Sequence, residues 1–149
     1  MAPRLALDEF LPYRLSVAAN AVSQAIARSY EAEGLKTNEW RVIAVLAAEG
    51  EQSQQALADR TRMDKVAVSR AAQALAARGL VRRRPDREDA RSLLLSLTPA
   101  GRRLHARLAP EALRLERALI EGLDPAEVER LEALLRLLEE RAAALRDAP

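Results

Sequence analysis

No cysteine occurs in the 149 residues, which removes disulfides, thiolate metal ligands and thiol redox sensing together. Aromatic residues are almost as scarce, at 3% of a chain that is 49% apolar, so a core has to be built mainly from Leu, Ala and Val. Ala and Leu head the helix scale, whereas sheets draw on β-branched and aromatic residues, and an all-β fold is argued against on that ground. There is one histidine, His105, so a Cys–His pair is impossible. A Ser–His arrangement is open only formally, because His105 falls on a helix read below as scaffold. The five glycines stand singly, and no glycine-rich loop that could cradle a phosphate is present. No apolar run approaches the roughly 18 residues of a membrane span. Residues 1–9 lack the apolar core of a signal peptide, and the expectation is a soluble cytoplasmic protein. Nothing in the residue types calls for a metal or a cofactor, and no enzyme is expected.

What is present is charge, unevenly spread. The net charge is only +2, but residues 60–109 hold 13 basic and 4 acidic groups. Residues 1–59 hold 5 and 8, and residues 110–149 hold 6 and 10. A basic middle between acidic ends is the electrostatic outline of a nucleic-acid contact mounted on a separate scaffold. The competing reading is a solvated charged surface, the commoner fate of charge runs.

The apolar spacing predicts helices. Leu15, Ala18, Val22, Ala25 and Ile26 share one helix face, with Asp8 as the expected N-cap and Gly34 as the stop. A second helix is expected from a Thr37 cap to Gly50, with Trp40, Ile43, Ala44 and Ala47 on one face. Ser53 caps a short helix reaching about to Arg60. Thr61–Arg62–Met63 makes a turn, and Asp64 caps a helix with Val68, Ala71, Ala72 and Leu75 inward. That is the spacing of a helix-turn-helix, although many helical bundles contain such a pair. Two short strands follow, Leu80–Arg84 and Ser92–Leu97, around the polar loop 85–91, and together they form a β-hairpin wing. Thr98–Pro99 opens a long helix expected to carry Leu104, Leu108, Leu113, Ile120 and Leu123, kinked at Pro110. Asp124–Pro125–Ala126–Glu127 is a capping box. The helix after it carries Val128, Leu131, Leu135, Leu138, Ala142 and Leu145 at heptad a/d spacing. Periodicity alone does not tell packing within the chain from packing against a second copy.

The run from Ala56 to Gly101 resembles the winged helix-turn-helix of the MarR family of bacterial regulators. The matching segments are ALADRTRMDKVAVSRAAQALAARGLVRR and DREDARSLLLSLTPAG. Within them, Asp89–Ala90–Arg91, Leu97–Thr98 and Gly101 are similar to the family's wing signature, and Asn38–Glu39–Trp40–Arg41–Val42 is similar to its second helix. The resemblance extends over nearly the whole chain. It implies a mostly α fold with a small β-hairpin wing. Residues 35–99 would form the DNA-binding part, and residues 8–34 and 100–146 the dimerisation helices of one chain spanning 1–149. It further implies a homodimer that straddles pseudo-palindromic double-stranded DNA. Such a protein commonly represses, and lets go when a small aromatic or phenolic ligand binds.

On this reading the helix from Asp64 lies in the major groove with its N-terminal residues nearest the bases. Subtracting its buried face leaves Lys65, Val66, Ala67, Ser69, Arg70 and Gln73 outward. Arg70 and Lys65 can donate to guanine or to phosphate, Gln73 can pair with adenine, and Ala67 can touch a thymine methyl. Ser53, Thr61 and Ser69 are short donors suited to phosphate. Arg87 and Arg91 sit on a loop thin enough for a minor groove. Asp89 is expected to orient Arg91 through a bidentate pair, the alternative being a solvated ion pair of little energetic consequence. Arg82, Arg83 and Arg84 would supply non-specific attraction.

Two further readings stay open. A helical scaffold could keep the winged fold and bind no DNA, and a basic surplus scattered around the domain would favour it. By the resemblance, a ligand pocket would gather Tyr13, Arg14, Trp40 and His105, where an arginine beside aromatic rings suits an aromatic carboxylate. Tyr13 and Trp40 are more often plain core or interface residues. The missing cysteine removes any thiol-based oxidant sensing.

Overall fold

The computed structural model describes all 149 residues. Its helices are α1 (Leu11–Ala27), α2 (Thr37–Glu49), α3 (Gln54–Thr61), α4 (Lys65–Ala77), α5 (Pro99–Leu119) and α6 (Pro125–Arg146). Three strands, β1 (Gln52–Ser53), β2 (Val81–Pro85) and β3 (Leu93–Leu97), make one antiparallel sheet in the order β1-β3-β2. The fold is therefore mostly helical with a small wing. The chain divides into two compact units, Met1–Leu115 and Glu116–Pro149.

The core of the first unit forms where α2, α3 and α4 meet the sheet. Val42, Ile43, Leu57, Val68, Ala72, Leu75 and Leu95 are wholly buried. Two caps space the helix pair. Ser53 Oγ accepts from the Ala56 N–H at 3.0 Å and Asp64 Oδ1 from the Ala67 N–H at 2.7 Å, each satisfying a donor that the first helical turn leaves free. Between them Arg62 takes a left-handed conformation, φ 60°, which ends α3. In the hairpin, Val81 faces Leu97 and Arg83 faces Leu95. Val81, Leu95 and Leu97 are buried while residues 82–85 are exposed, so only the hairpin's root is tied to the core. Strand β1, two residues pairing with Leu94 and Leu95, is too short to leave an alternating pattern in the sequence.

Several expectations are corrected. Asp8 does not cap α1; it lies in a 3-10 turn, Leu7–Glu9, and Phe10 holds the cap position without a side-chain bond. Helix α1 stops at Ala27 rather than Gly34. Just beyond it, Ser29 Oγ donates to the Ile26 carbonyl at 2.7 Å, a bond that competes with continued helix, and the chain turns to bury Tyr30. Gly34, φ 72°, closes the following 3-10 turn, Glu31–Glu33. Thr37 is the first residue of α2 instead of its cap. Lys36 occupies the cap position, its N–H donating to Glu39 Oε1 at 3.4 Å. The buried face of α2 is Glu39, Val42, Ile43 and Leu46, with Trp40 and Ala44 half-buried and Ala47 exposed. Both faces carry apolar side chains, and packing on α3 and α4 selects the one with Val42, Ile43 and Leu46, where the buried Glu39 accepts from the Lys36 N–H. Helix α5 passes through Pro110 and ends at Leu119, so Ile120 and Leu123 lie in the turn beyond it.

Thr98 opens α5 as expected. Its Oγ1 accepts from the Gly101 N–H at 3.1 Å and donates to the Gly79 carbonyl at 2.6 Å. In the second unit, the Asp124 N–H donates to Glu127 Oε2 at 2.8 Å, one half of a capping box. None of the residues of α6 is buried, and Leu131, Leu134, Leu135, Leu137 and Leu145 are exposed. No helix is long and apolar enough to cross a membrane.

Candidate nucleic-acid interface

Helix α4 buries Val68, Ala71, Ala72 and Leu75, and a 3.6-residue repeat then dictates what points away. Lys65, Val66, Arg70 and Gln73 are exposed, and Ala67 and Ser69 are half-buried on the same side. Lys65 and Arg70 have neither a hydrogen-bond nor an ion-pair partner within the chain. Gln73 reaches only Ser69 Oγ, at 3.5 Å. Arg70 also borders a cleft of about 460 Å3 whose far wall is Lys36, Thr37 and Asn38. Lys36 did not stand out in the sequence, and Asn38 did so only through its resemblance to the family's second helix, because the nearness of both to α4 is tertiary.

The wing loop is held by two aspartates. Asp86 Oδ1 accepts from the Glu88 N–H and Asp89 Oδ1 from the Arg91 N–H, both at 3.0 Å. The Asp86 N–H and Ser92 carbonyl close the loop at 3.0 Å. The expected bidentate pair between the Asp89 and Arg91 side chains is thus corrected. Asp89 shapes the backbone at Arg91 as a side-chain-closed turn, and the guanidinium stays free. Arg82, Arg83, Arg87 and Arg91 are all exposed and unpartnered.

Arg84 differs from its neighbours. Its Nε and Nη2 donate to the two carboxylate oxygens of Glu51 at 3.0 and 2.6 Å. The Arg84 hydrogen bonds hold the Glu51 carboxyl below its ordinary value, and the same bonds raise Arg84. The expectation of Arg84 as a free cation is corrected: its two-pronged pair ties β2 to the segment before β1. Thr61 is similarly committed, its hydroxyl donating to the Leu57 carbonyl at 2.6 Å. Ser53 uses its oxygen as a cap and keeps its proton free.

A second cleft, about 380 Å3, is bordered by Gln54, Gln55, Lys65, Asp89, Arg91 and Ser92. It brings the first residue of α4 and the wing's Arg91 to one place, although 26 positions separate them in the chain. Gln54 and Gln55 were missed. The available signal was their position directly after a capping serine, in a first helical turn where Gln55 is exposed and Gln54 half-buried.

The aromatic cluster is only partly the expected one. Trp40 stacks between Tyr30 and His105, with ring centroids 5.7 Å apart on both sides. Tyr13 and Arg14 are exposed on the first turns of α1 and are not part of this stack. Tyr30 takes the place foreseen for Tyr13, its hydroxyl 2.9 Å from Thr37 Oγ1.

A capped helix pair with a cationic outer face, followed directly by a cationic two-strand wing, defines the winged helix-turn-helix class of DNA-binding proteins. The MarR family model matches residues 33–92. A "probable transcriptional regulator" from Pseudomonas aeruginosa is 30% identical, covers 89% of this chain and 99% of its own, and superposes with a TM-score of 0.78. A MarR family regulator from Silicibacter pomeroyi is 29% identical over 98% of this chain and 99% of its own, TM-score 0.75. The Bordetella bronchiseptica regulator BpsR, whose DNA binding is regulated by 6-hydroxynicotinic acid, is 26% identical over 87% of this chain and 98% of its own, TM-score 0.78. No curated protein matches. The chain belongs to the MarR family: it is a DNA-binding transcriptional regulator and not an enzyme.

Proposed function

We propose that this chain is a homodimeric repressor that reads a pseudo-palindromic double-stranded operator and is released by a small aromatic or phenolic ligand. The observation that carries the DNA reading is the free cationic surface shared by α4 and the wing. Lys65, Arg70, Arg87 and Arg91 are exposed and unpartnered, a surface of one sign whose electrostatic complement is a polyanion. Arg70 and Gln73 are the base readers on this account, with Lys65, Val66 and Ala67 beside them. Ser53, Ser69 and Arg82 meet phosphate, and Arg87 and Arg91 enter the minor groove. Arg84 contributes by fixing the wing.

Dimerisation is supported by apolar surface that the single chain leaves in water. Leu7, Phe10, Leu11, Val17 and Val22 are exposed near the N-terminus, and five leucines are exposed on α6. Patches of this kind mark interfaces. Ligand release is supported by regulation of BpsR by 6-hydroxynicotinic acid and by the half-buried His105 edge of the aromatic stack.

The test is a titration of promoter-proximal and random duplexes at several salt concentrations, with the wild type and an Arg70→Ala/Arg91→Ala double variant. Tight, salt-steep binding to one pseudo-palindrome is expected, with the double variant losing about 100-fold or more while staying a folded dimer. Equal binding by both proteins, or none to any duplex at low salt, would replace this reading with the scaffold one.

A further inference from the structure

The end of α4 farthest from its capped start is held by a contact between distant parts of the chain. Arg78, the residue after the last turn of α4, leaves that helix. Its Nη2 donates to the Glu33 carbonyl at 2.7 Å and its Nη1 to the Gly34 carbonyl at 3.4 Å. A cation at this position would ordinarily remain over its own helix, whose last carbonyls carry partial negative charge. Here the planar fork spans two consecutive carbonyls of another element. The left-handed φ of 72° at Gly34 is a backbone conformation that glycine adopts without strain.

The turn that receives Arg78 is itself anchored twice. Arg107 of α5 pairs with the Glu33 carboxylate at 3.3 Å. Tyr30, buried immediately before the turn, stacks on Trp40 of α2, which stacks on His105 of α5. The Tyr30 carbonyl also accepts from the Glu33 N–H at 3.1 Å and the Leu35 N–H at 3.4 Å. A continuous set of contacts therefore runs from the α5 face, through the aromatic stack and the 31–34 turn, to the C-terminal end of α4.

We propose that Arg78 is a positioning residue for DNA reading: it pins the end of α4 to the 31–34 turn and so sets the helix's angle to the duplex. The proposal rests on the DNA reading above. Arg78 itself meets no base or phosphate on this account. Its guanidinium is turned to the Glu33 and Gly34 carbonyls, whereas Lys65 and Arg70 are free of any partner. A helix fixed at one end by its cap and core contacts, and at the other by Arg78, presents Arg70 and Gln73 at one angle.

The experiment uses the full chain, with Arg78→Ala and Arg78→Lys. The probes are a duplex enriched from a random pool by the wild type and a scrambled duplex of equal length. Both variants are expected to lose roughly three- to tenfold in affinity for the enriched duplex, the scale of one charge-assisted hydrogen bond. Binding to the scrambled duplex and the slope of log affinity against log salt should stay at wild-type values. Lys keeps the charge but not the fork, so full rescue by Arg78→Lys overturns the proposal in favour of charge alone. A salt slope lower by about one overturns it in favour of a phosphate contact. Amide exchange of the free proteins is the second readout. Arg78→Ala should speed exchange in residues 31–36 and 76–80 together, with α3 unchanged. No change at 31–36 overturns the clamp even if no duplex is enriched, whereas that failure of enrichment alone strikes the DNA reading.

Discussion

Gly101 shows how a single residue's chemistry can be set by backbone approach and not by conformational freedom. It sits in the first turn of α5, where alanine would be the better helix former. A Cβ there would press into the Leu80 carbonyl oxygen and close on the Leu97 side chain. The same place is cross-linked by Thr98, whose N–H donates to the Leu80 carbonyl and whose hydroxyl donates to Gly79. Gly101→Ala should therefore destabilise the chain by about 1–3 kcal/mol or more, the cost of overpacking a filled site, despite the gain in propensity. Thermal unfolding monitored by circular dichroism checks this, and an unchanged or raised Tm would contradict it. Resemblance had marked Gly101 in the sequence, but the reason for it was invisible there. The Leu80 carbonyl that excludes a side chain comes from 21 positions earlier, and only the packed structure brings the two together.

At the scale of elements, the helix pair was legible because each part of it is local. Ser53 and Asp64 cap bonds span three residues, and the buried stripe of α4 repeats every three to four. The wing was legible as two strands and a polar loop, but its bracing was not. Arg84 and Glu51 are 33 positions apart, and no periodicity relates them. Their pair makes the wing sensitive to acid. Glu51 is held below its ordinary value by the Arg84 hydrogen bonds. Its contribution is therefore complete above the ordinary carboxylate range and is lost as pH falls through that range to the lowered folded value. Both side chains are exposed to solvent, so the effect on global stability is small and the local one is the better readout. Amide exchange of residues 81–85 should quicken on acidification in the wild type, relative to the intrinsic rate. In Glu51→Gln it should already be quick at neutral pH and show less added pH dependence. Identical profiles in the two proteins would remove the brace.

The whole molecule raises the question of what stabilises the terminal segments. Helix α6 has 22 residues and none is buried, and propensity alone leaves an isolated helix marginal in water. Its leucines repeat on an a/d seam, the pattern that specifies a partner helix. A second copy, as proposed above, would cover them. Unfolding would then be coupled to dissociation, and Tm should rise with protein concentration. Leu131→Asp combined with Leu135→Asp should give a monomer by sedimentation, with operator affinity sharply reduced because each half-site is bound alone. A dimer of unchanged stability after both substitutions would place the interface elsewhere.

The sequence by itself determined the helical class, the helix pair, the strands of the wing and the concentration of positive charge between residues 60 and 109. Each of these rests on neighbours within a few positions, where caps, periodicity and charge counts act. The tertiary structure decided which face of α2 turns inward, that Tyr30 and not Tyr13 stacks on Trp40, and which arginines remain free. Arg84 is spent on Glu51 and Arg78 on the 31–34 turn, while Arg70, Arg87 and Arg91 have no partner. The physical reason is the same in every case. An arginine's reach and a ring's stacking partner depend on distances through space between residues tens of positions apart, and these distances exist only once the core has closed.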